Sequence, residues 1–199
     1  GTADNIFPRI IIRAGYDGQA FTGTMGYYRD ACNNLAMMHQ VSGTCVKIRH
    51  SSGLRGAMDD LIQTFSKLSE GWEHLVEVAA ELESREVRMV DFLDRIYGRP
   101  SDEQLTLAAS GQRVRAVTTH QNRTEAIWQR LNRERVRTGR PVLNDDRVSA
   151  WEAFNAIQGY VQHDAQAKDG FKGEFDRILR AAKSPEVKAA EKLALELAA

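Results

Sequence analysis

Residues 45–82 read CVKIRHSSGLRGAMDDLIQTFSKLSEGWEHLVEVAAEL, and the period of the apolar positions changes inside that stretch. From Cys45 to His50 the residues alternate, with Val46 and Ile48 on one side and Cys45, Lys47 and Arg49 on the other. A period of two marks a strand with two unlike faces. From Ser52 onward the apolar positions are Leu61, Phe65, Leu68, Trp72, Leu75, Ala79 and Leu82, spaced four and three in turn. That is a heptad-like seam along one long helix. Ser51 and Ser52 offer an N-cap, and Asp59 and Asp60 suit the positive end of the helix dipole. Gly71 weakens the helix by roughly 1 kcal/mol without ending it. A strand running into a long helix predicts an α+β protein.

Toward the N-terminus the strand signal repeats. Arg9-Ile10-Ile11-Ile12-Arg13 follows Pro8 and is rich in β-branched residues, and Asp17-Gly18 is a strong hairpin turn. Gln19 to Tyr28 reads as the returning strand, with Phe21, Met25 and Tyr27 as its large residues. Asp30 to Met38 is expected to be a short helix. If the first strand and the Cys45–His50 strand share a sheet, Ile10, Ile12, Val46 and Ile48 line one face. The other face then carries Arg9, Arg13, Lys47 and Arg49.

Toward the C-terminus the pattern is helical. Helices are expected over Arg85 to Tyr97, from Ser101-Asp102-Glu103-Gln104 to near Gly111, and over Arg113 to Arg137. Asn144-Asp145-Asp146 is expected to cap a helix whose apolar face is Val148, Trp151, Phe154, Ile157 and Val161. Pro185 to Ala199 is an Ala-rich amphipathic tail. The expected architecture is a small N-terminal antiparallel β-sheet packed on a predominantly helical body. Residues 1–50 hold the sheet with a short helix, 51–199 the helical body, and the two form one structural unit.

At 199 residues, 42% hydrophobic and 27% charged, the chain can bury a core and lacks the composition of a disordered polymer. No apolar run approaches the roughly 20 residues of a membrane span. Gly1-Thr2-Ala3-Asp4-Asn5 shows neither the basic flank nor the apolar segment of an export signal. Cys32 and Cys45 then read as reduced thiols in a bacterial cytoplasm. The net charge is zero, yet unevenly placed. Gly56 to Asp94 holds ten acidic residues against three basic, and Gly111 to Arg140 eight arginines against two acids. A neutral total can conceal a basic surface.

No P-loop, G-x-G-x-x-G, H-E-x-x-H or C-x-x-C occurs, so no enzyme activity, cofactor or small-molecule substrate is expected. Cys32, His39, Cys45 and His50 lack the close cysteine pair of a zinc hook, and no metal site is expected. Asp59-Asp60 and Asp145-Asp146 are adjacent in sequence and diverge around a helix, which suits first turns better than paired acid–base chemistry. Trp151 and Asn155 lie four apart, as a core aromatic and an amide bonded to nearby backbone would; the alternative is an amide that reads a ligand. Arg123, Arg130, Arg133 and Arg137 follow helical spacing, with Arg135 and Arg140 nearby. They form a solvated face, a face paired with the acidic seam helix, or a phosphate-binding stripe. Tyr16, Tyr27 and Tyr28 could stack unpaired bases.

Several short runs are familiar together. They are Pro8-Arg9-Ile10-Ile11 before Asp17-Gly18, Arg29-Asp30-Ala31-Cys32-Asn33-Asn34, and Arg49-His50 ahead of the long helix. Trp151-Glu152-Ala153-Phe154-Asn155-Ala156 leading to Tyr160 and His163 completes the set. They resemble the phage/plasmid-like protein family catalogued as a domain of unknown function, number 932. Ser149-Ala150 departs from the Gly-Thr pair usual there. Members also carry more sequence before the first strand, so a chain truncated from a longer protein is expected. The resemblance implies a place in mobile elements, near DNA replication and recombination genes. A basic sheet face backed by helices also looks, at fold level, like single-strand annealing recombinases.

The resulting expectation is a non-enzymatic protein that binds nucleic acid, foremost single-stranded DNA, as a homo-oligomer. Its contacts would be Arg9, Arg13, Lys47, Arg49, Arg123, Arg130, Arg133 and Arg137. The competing expectation is a structural or interaction protein that assembles through the helix over residues 61–82.

Overall fold

The alternating segments at the N-terminus pair as a period of two requires. In the computed structural model, which describes residues 5–13, 21–29, 34–36, 44–48, 54–165 and 173–198, four strands form one antiparallel sheet. They are β1 (Ile6–Arg13), β2 (Phe21–Arg29), β3 (Asn34–Ala36) and β4 (Thr44–Ile48). The central strand is β2: β1 pairs along one edge, while β4 and β3 divide the other. The short helix expected over Asp30 to Met38 is corrected by β3, which pairs with Tyr27–Arg29 of β2. Three residues carry no readable period, and their conformation comes from the partner strand.

Register sorts the sheet into two faces. Ile10 pairs with Met25, and Ile12 with Gly23. Gly23 in turn pairs with Val46. Pro8 pairs with Tyr27 on the same parity, and Tyr27 is fully buried with its ring 5.3 Å from that of Trp72. Trp72 belongs to α1 (Leu54–Ser84), a helix of 31 residues that continues through Gly71. Along the seam, Leu75, Ala79 and Leu82 are buried, whereas Ile62 and Val76, off the seam, are exposed. By Cα proximity the chain forms two compact units, Asp4–Ala80 and Glu81–Ala199, divided within this helix.

In the second unit a two-stranded ladder joins β5 (Glu86–Arg88) to β6 (Arg147–Ser149), with Val87 opposite Val148. Two expectations are corrected by it. The helix predicted over Arg85 to Tyr97 begins later, as α2 (Met89–Tyr97). The helix predicted to start at Asn144-Asp145-Asp146 is α5 (Ala150–Gly159), which starts at a capping box of Ser149 and Glu152. The box satisfies the amides of Glu152 and of Ser149 itself, where the acidic triplet would have left β6 no room. Between them, α3 (Asp102–Ala109) opens on a capping box of Ser101 and Gln104. Next comes α4 (Arg115–Arg137), which buries Val117, Ile127 and Leu131.

Every residue of α5 is buried, and the helix widens into a π-helical turn over Tyr160–Asp164. Two further helices are α6 (Glu174–Lys183) and α7 (Pro185–Ala198). The strongest helix packing is α7 and α4 against α5. Val187, Ala190, Leu193 and Ala194 of α7 are buried, so the C-terminal segment is docked. Asn155, fully buried, donates its amide to the Trp151 carbonyl at 2.7 Å, as the core reading required. The architecture is α+β and mostly helical. Among the described residues no helix is long and apolar enough to cross a membrane.

Candidate nucleic-acid interface

The residues opposite the apolar face of the first sheet are set by the same register. Arg9 pairs with Gly26, Ile11 with Thr24 and Arg13 with Thr22. Thr22 also pairs with Lys47, and Thr24 with Cys45. Arg9, Arg13 and Lys47 therefore share one parity, and Arg13 and Lys47 stand in one cross-strand row. Gly26 puts no side chain beside Arg9, whose guanidinium lies 4.7 Å from the ring centroid of the diagonal neighbour Tyr28. Diagonal pairs on a sheet are within reach of long and aromatic side chains, and a cation over a ring face is attracted by its quadrupole. Arg49 lies outside the described residues. So does Tyr16, while buried Tyr27 cannot serve as a stacking platform; Tyr28, half-buried on the basic face, can.

The arginines of α4 meet a different environment. The Arg130 side chain is only 13% exposed; its Nε donates to Glu134 at 2.9 Å, and another of its nitrogens is 3.7 Å from Asp164. Arg133 reaches both oxygens of Asp164 at 3.2 Å. Arg137 is exposed in the last turn. Arg123 lies 4.4 Å over the ring of Tyr97. Of the four helical arginines predicted to touch phosphate, two thus share an internal carboxylate.

The nearby pair, Arg135 and Arg140, both donate to Glu152, and Arg140 also donates to Glu83 at 2.6 Å. Glu83 in turn accepts from the Ser149 hydroxyl at 2.9 Å. One buried acid thus caps α5 and neutralises two arginines. The sequence signal for this hub was the Ser149-x-x-Glu152 spacing, which the adjacent acidic triplet obscured. Arg140, three residues past the end of the basic helix, pairs with Glu83 of the acidic seam helix.

His163, at the end of the π-helical turn, is held neutral, its pKa pushed down to about 4. Burial is the largest cause, Arg130, Arg177 and Arg180 add repulsion, and Asp164 opposes them. The Tyr97 phenol is raised, mainly by burial, with Arg123 acting in the opposite direction. Among the described residues no group of His, Cys, Asp and Glu could hold a metal ion. Of the weighed zinc set, Cys32, His39 and His50 lie outside the described residues.

A family profile described as Domain of unknown function (DUF932) matches residues 1–193, and the chain belongs to that family. No curated protein and no solved structure matches the chain.

Proposed function

We propose that this DUF932 chain is a non-enzymatic protein that holds single-stranded nucleic acid on the basic face of its first sheet. The substrate we favour is DNA exposed during replication or recombination of a phage or plasmid. One observation carries this reading: the register that gives Arg9, Arg13 and Lys47 a common face with Tyr28. Four residues of strand separate Arg9 from Arg13 by about 13 Å, and two strand spacings separate β1 from β4 by about 10 Å. Those distances are close to the ~8–10 Å screening length of physiological salt, so the three cations act together on neighbouring phosphates. Tyr28 supplies an aromatic surface for a base, a contact indifferent to sequence.

Arg130 and Arg133 are left out of this site because Asp164 takes up their charge. The competing reading, assembly through residues 61–82, is disfavoured by the burial of Leu75 and Leu82. A second copy could not use those positions without opening the chain.

The test is a fluorescence-anisotropy titration of labelled single strands over a range of salt. Replacing Arg9, Arg13 and Lys47 together by Ala should reduce the log–log salt slope by about 2, at ~0.7 per phosphate released. A slope unchanged by the triple substitution would remove the sheet face as the site.

A further inference from the structure

A cleft of about 520 Å³ opens where the end of α2 meets the first half of α4. Its lining includes Arg99, Arg115, Arg123, His120, Tyr97 and Thr119, and no carboxylate. Arg115, Thr119 and Arg123 are spaced by four, so one stripe of α4 presents them. The chain reaches Arg99 through Gly98, whose φ of 76° turns it sharply out of α2. The two nearby acids are engaged: Asp94 with His120 at 3.0 Å, and Asp102 with Arg99 at 3.3 Å.

Arg115 and Arg123 form no ion pair among the described residues, in contrast to Arg130, Arg133, Arg135 and Arg140 of the same region. Arg123 is positioned by the ring of Tyr97 rather than by an acid. A guanidinium held by its face keeps its in-plane N–H donors for another acceptor, and that fork matches phosphate oxygens two at a time. The first turn of α4 adds to the positive potential, since it carries no acidic residue and its N-cap Val114 makes no side-chain cap. A phosphate alone would fill a small part of this volume, which falls in the range of small-molecule sites. Tyr97, Pro100 and Ala116 provide apolar wall for the remainder.

We infer that this cleft binds a phosphorylated small molecule of nucleotide size, with Arg115 and Arg123 gripping the phosphate and Arg99 closing its rim. The site lies within residues 81–199 and does not depend on the sheet reading. Isothermal titration of the full chain with a nucleoside monophosphate, the matching nucleoside and inorganic phosphate tests it. Saturable binding of the monophosphate is expected, with the nucleoside silent and inorganic phosphate at least tenfold weaker. Arg115→Glu, at an exposed position with no partner among the described residues, should weaken the monophosphate roughly tenfold or more while leaving the circular dichroism spectrum intact. Absence of saturable binding would overturn the proposal. So would an Arg115→Glu affinity equal to that of the parent chain, or inorganic phosphate binding as tightly as the nucleotide.

Discussion

On the first sheet, Arg9 rests over the ring of Tyr28, and Arg13 and Lys47 share a cross-strand row. On α4, Arg130 and Arg133 converge on Asp164, while Arg135 and, just past the helix, Arg140 converge on Glu152. Both regions are basic stretches of similar composition, but burial treats them differently. A helix sunk along one stripe takes Arg130 and Arg135, at the edge of that stripe, largely out of water. A guanidinium so placed without a counter-charge costs several kcal/mol, so the fold supplies acids from other elements. A pleated strand instead carries alternate residues on opposite faces, so its cations gather on one face by register alone. Local positive charge therefore marks an anion surface only where packing has not already consumed it.

The comparison can be broken most directly at Glu152. Glu152→Ala removes a side chain only 10% exposed that accepts from Arg135 and Arg140 and completes the α5 capping box. A loss of about 3 kcal/mol in urea denaturation is expected. A loss below about 1 kcal/mol would show that these arginines are not structural after all.

A smaller effect is expected from acid. His163 is held below its ordinary value of 6.5, at about 4. Between those values the unfolded chain binds a proton that the folded chain refuses, so stability falls as pH drops through that window. Allowing for solvent screening, the loss is on the order of 1–2 kcal/mol. Thermal melts at pH 7 and pH 4.5 should show a steeper decline for the parent chain than for His163→Gln. Parallel declines would mean that His163 is not desolvated.

The smallest effect sharpens the contrast between the arginines of α4 and those of the sheet. The Arg133 side chain is 59% exposed despite its contact with Asp164. Arg133→Ala should cost less than about 0.5 kcal/mol. It should also leave the oligonucleotide salt slope where it was, because the charge lost was already balanced within the protein. A slope reduced by the ~0.7 of one phosphate contact would return α4 to the interface.

Much of the fold was legible because its signals are local. The alternation over Arg9–Arg13 and Cys45–His50 placed β1 and β4, and the register bears out the parity of its described residues, with Arg49 and His50 outside them. The four-three spacing from Leu61 to Leu82 lies wholly within α1, which begins seven residues earlier and ends two later, and Ser101 with Gln104 marked the start of α3. What failed was short or borrowed. β3, β5 and β6 have three residues each, too few for a period, and exist because a partner strand completes their hydrogen bonds. The Asn144-Asp145-Asp146 triplet outweighed Ser149 as a cap because composition was read without the ladder that occupies Arg147–Ser149.

The sequence by itself settled which stretches alternate and which are helical, and therefore the α+β class and the two unlike faces of the first sheet. Tertiary structure alone decided which arginines meet a carboxylate from a distant part of the chain. Asp164 lies 31 residues from Arg133, Glu152 lies 17 from Arg135, and Glu83 lies 57 from Arg140. No local pattern pairs residues at those separations. Periodicity follows from backbone geometry within a few residues, whereas charge compensation follows from which elements the core brings together.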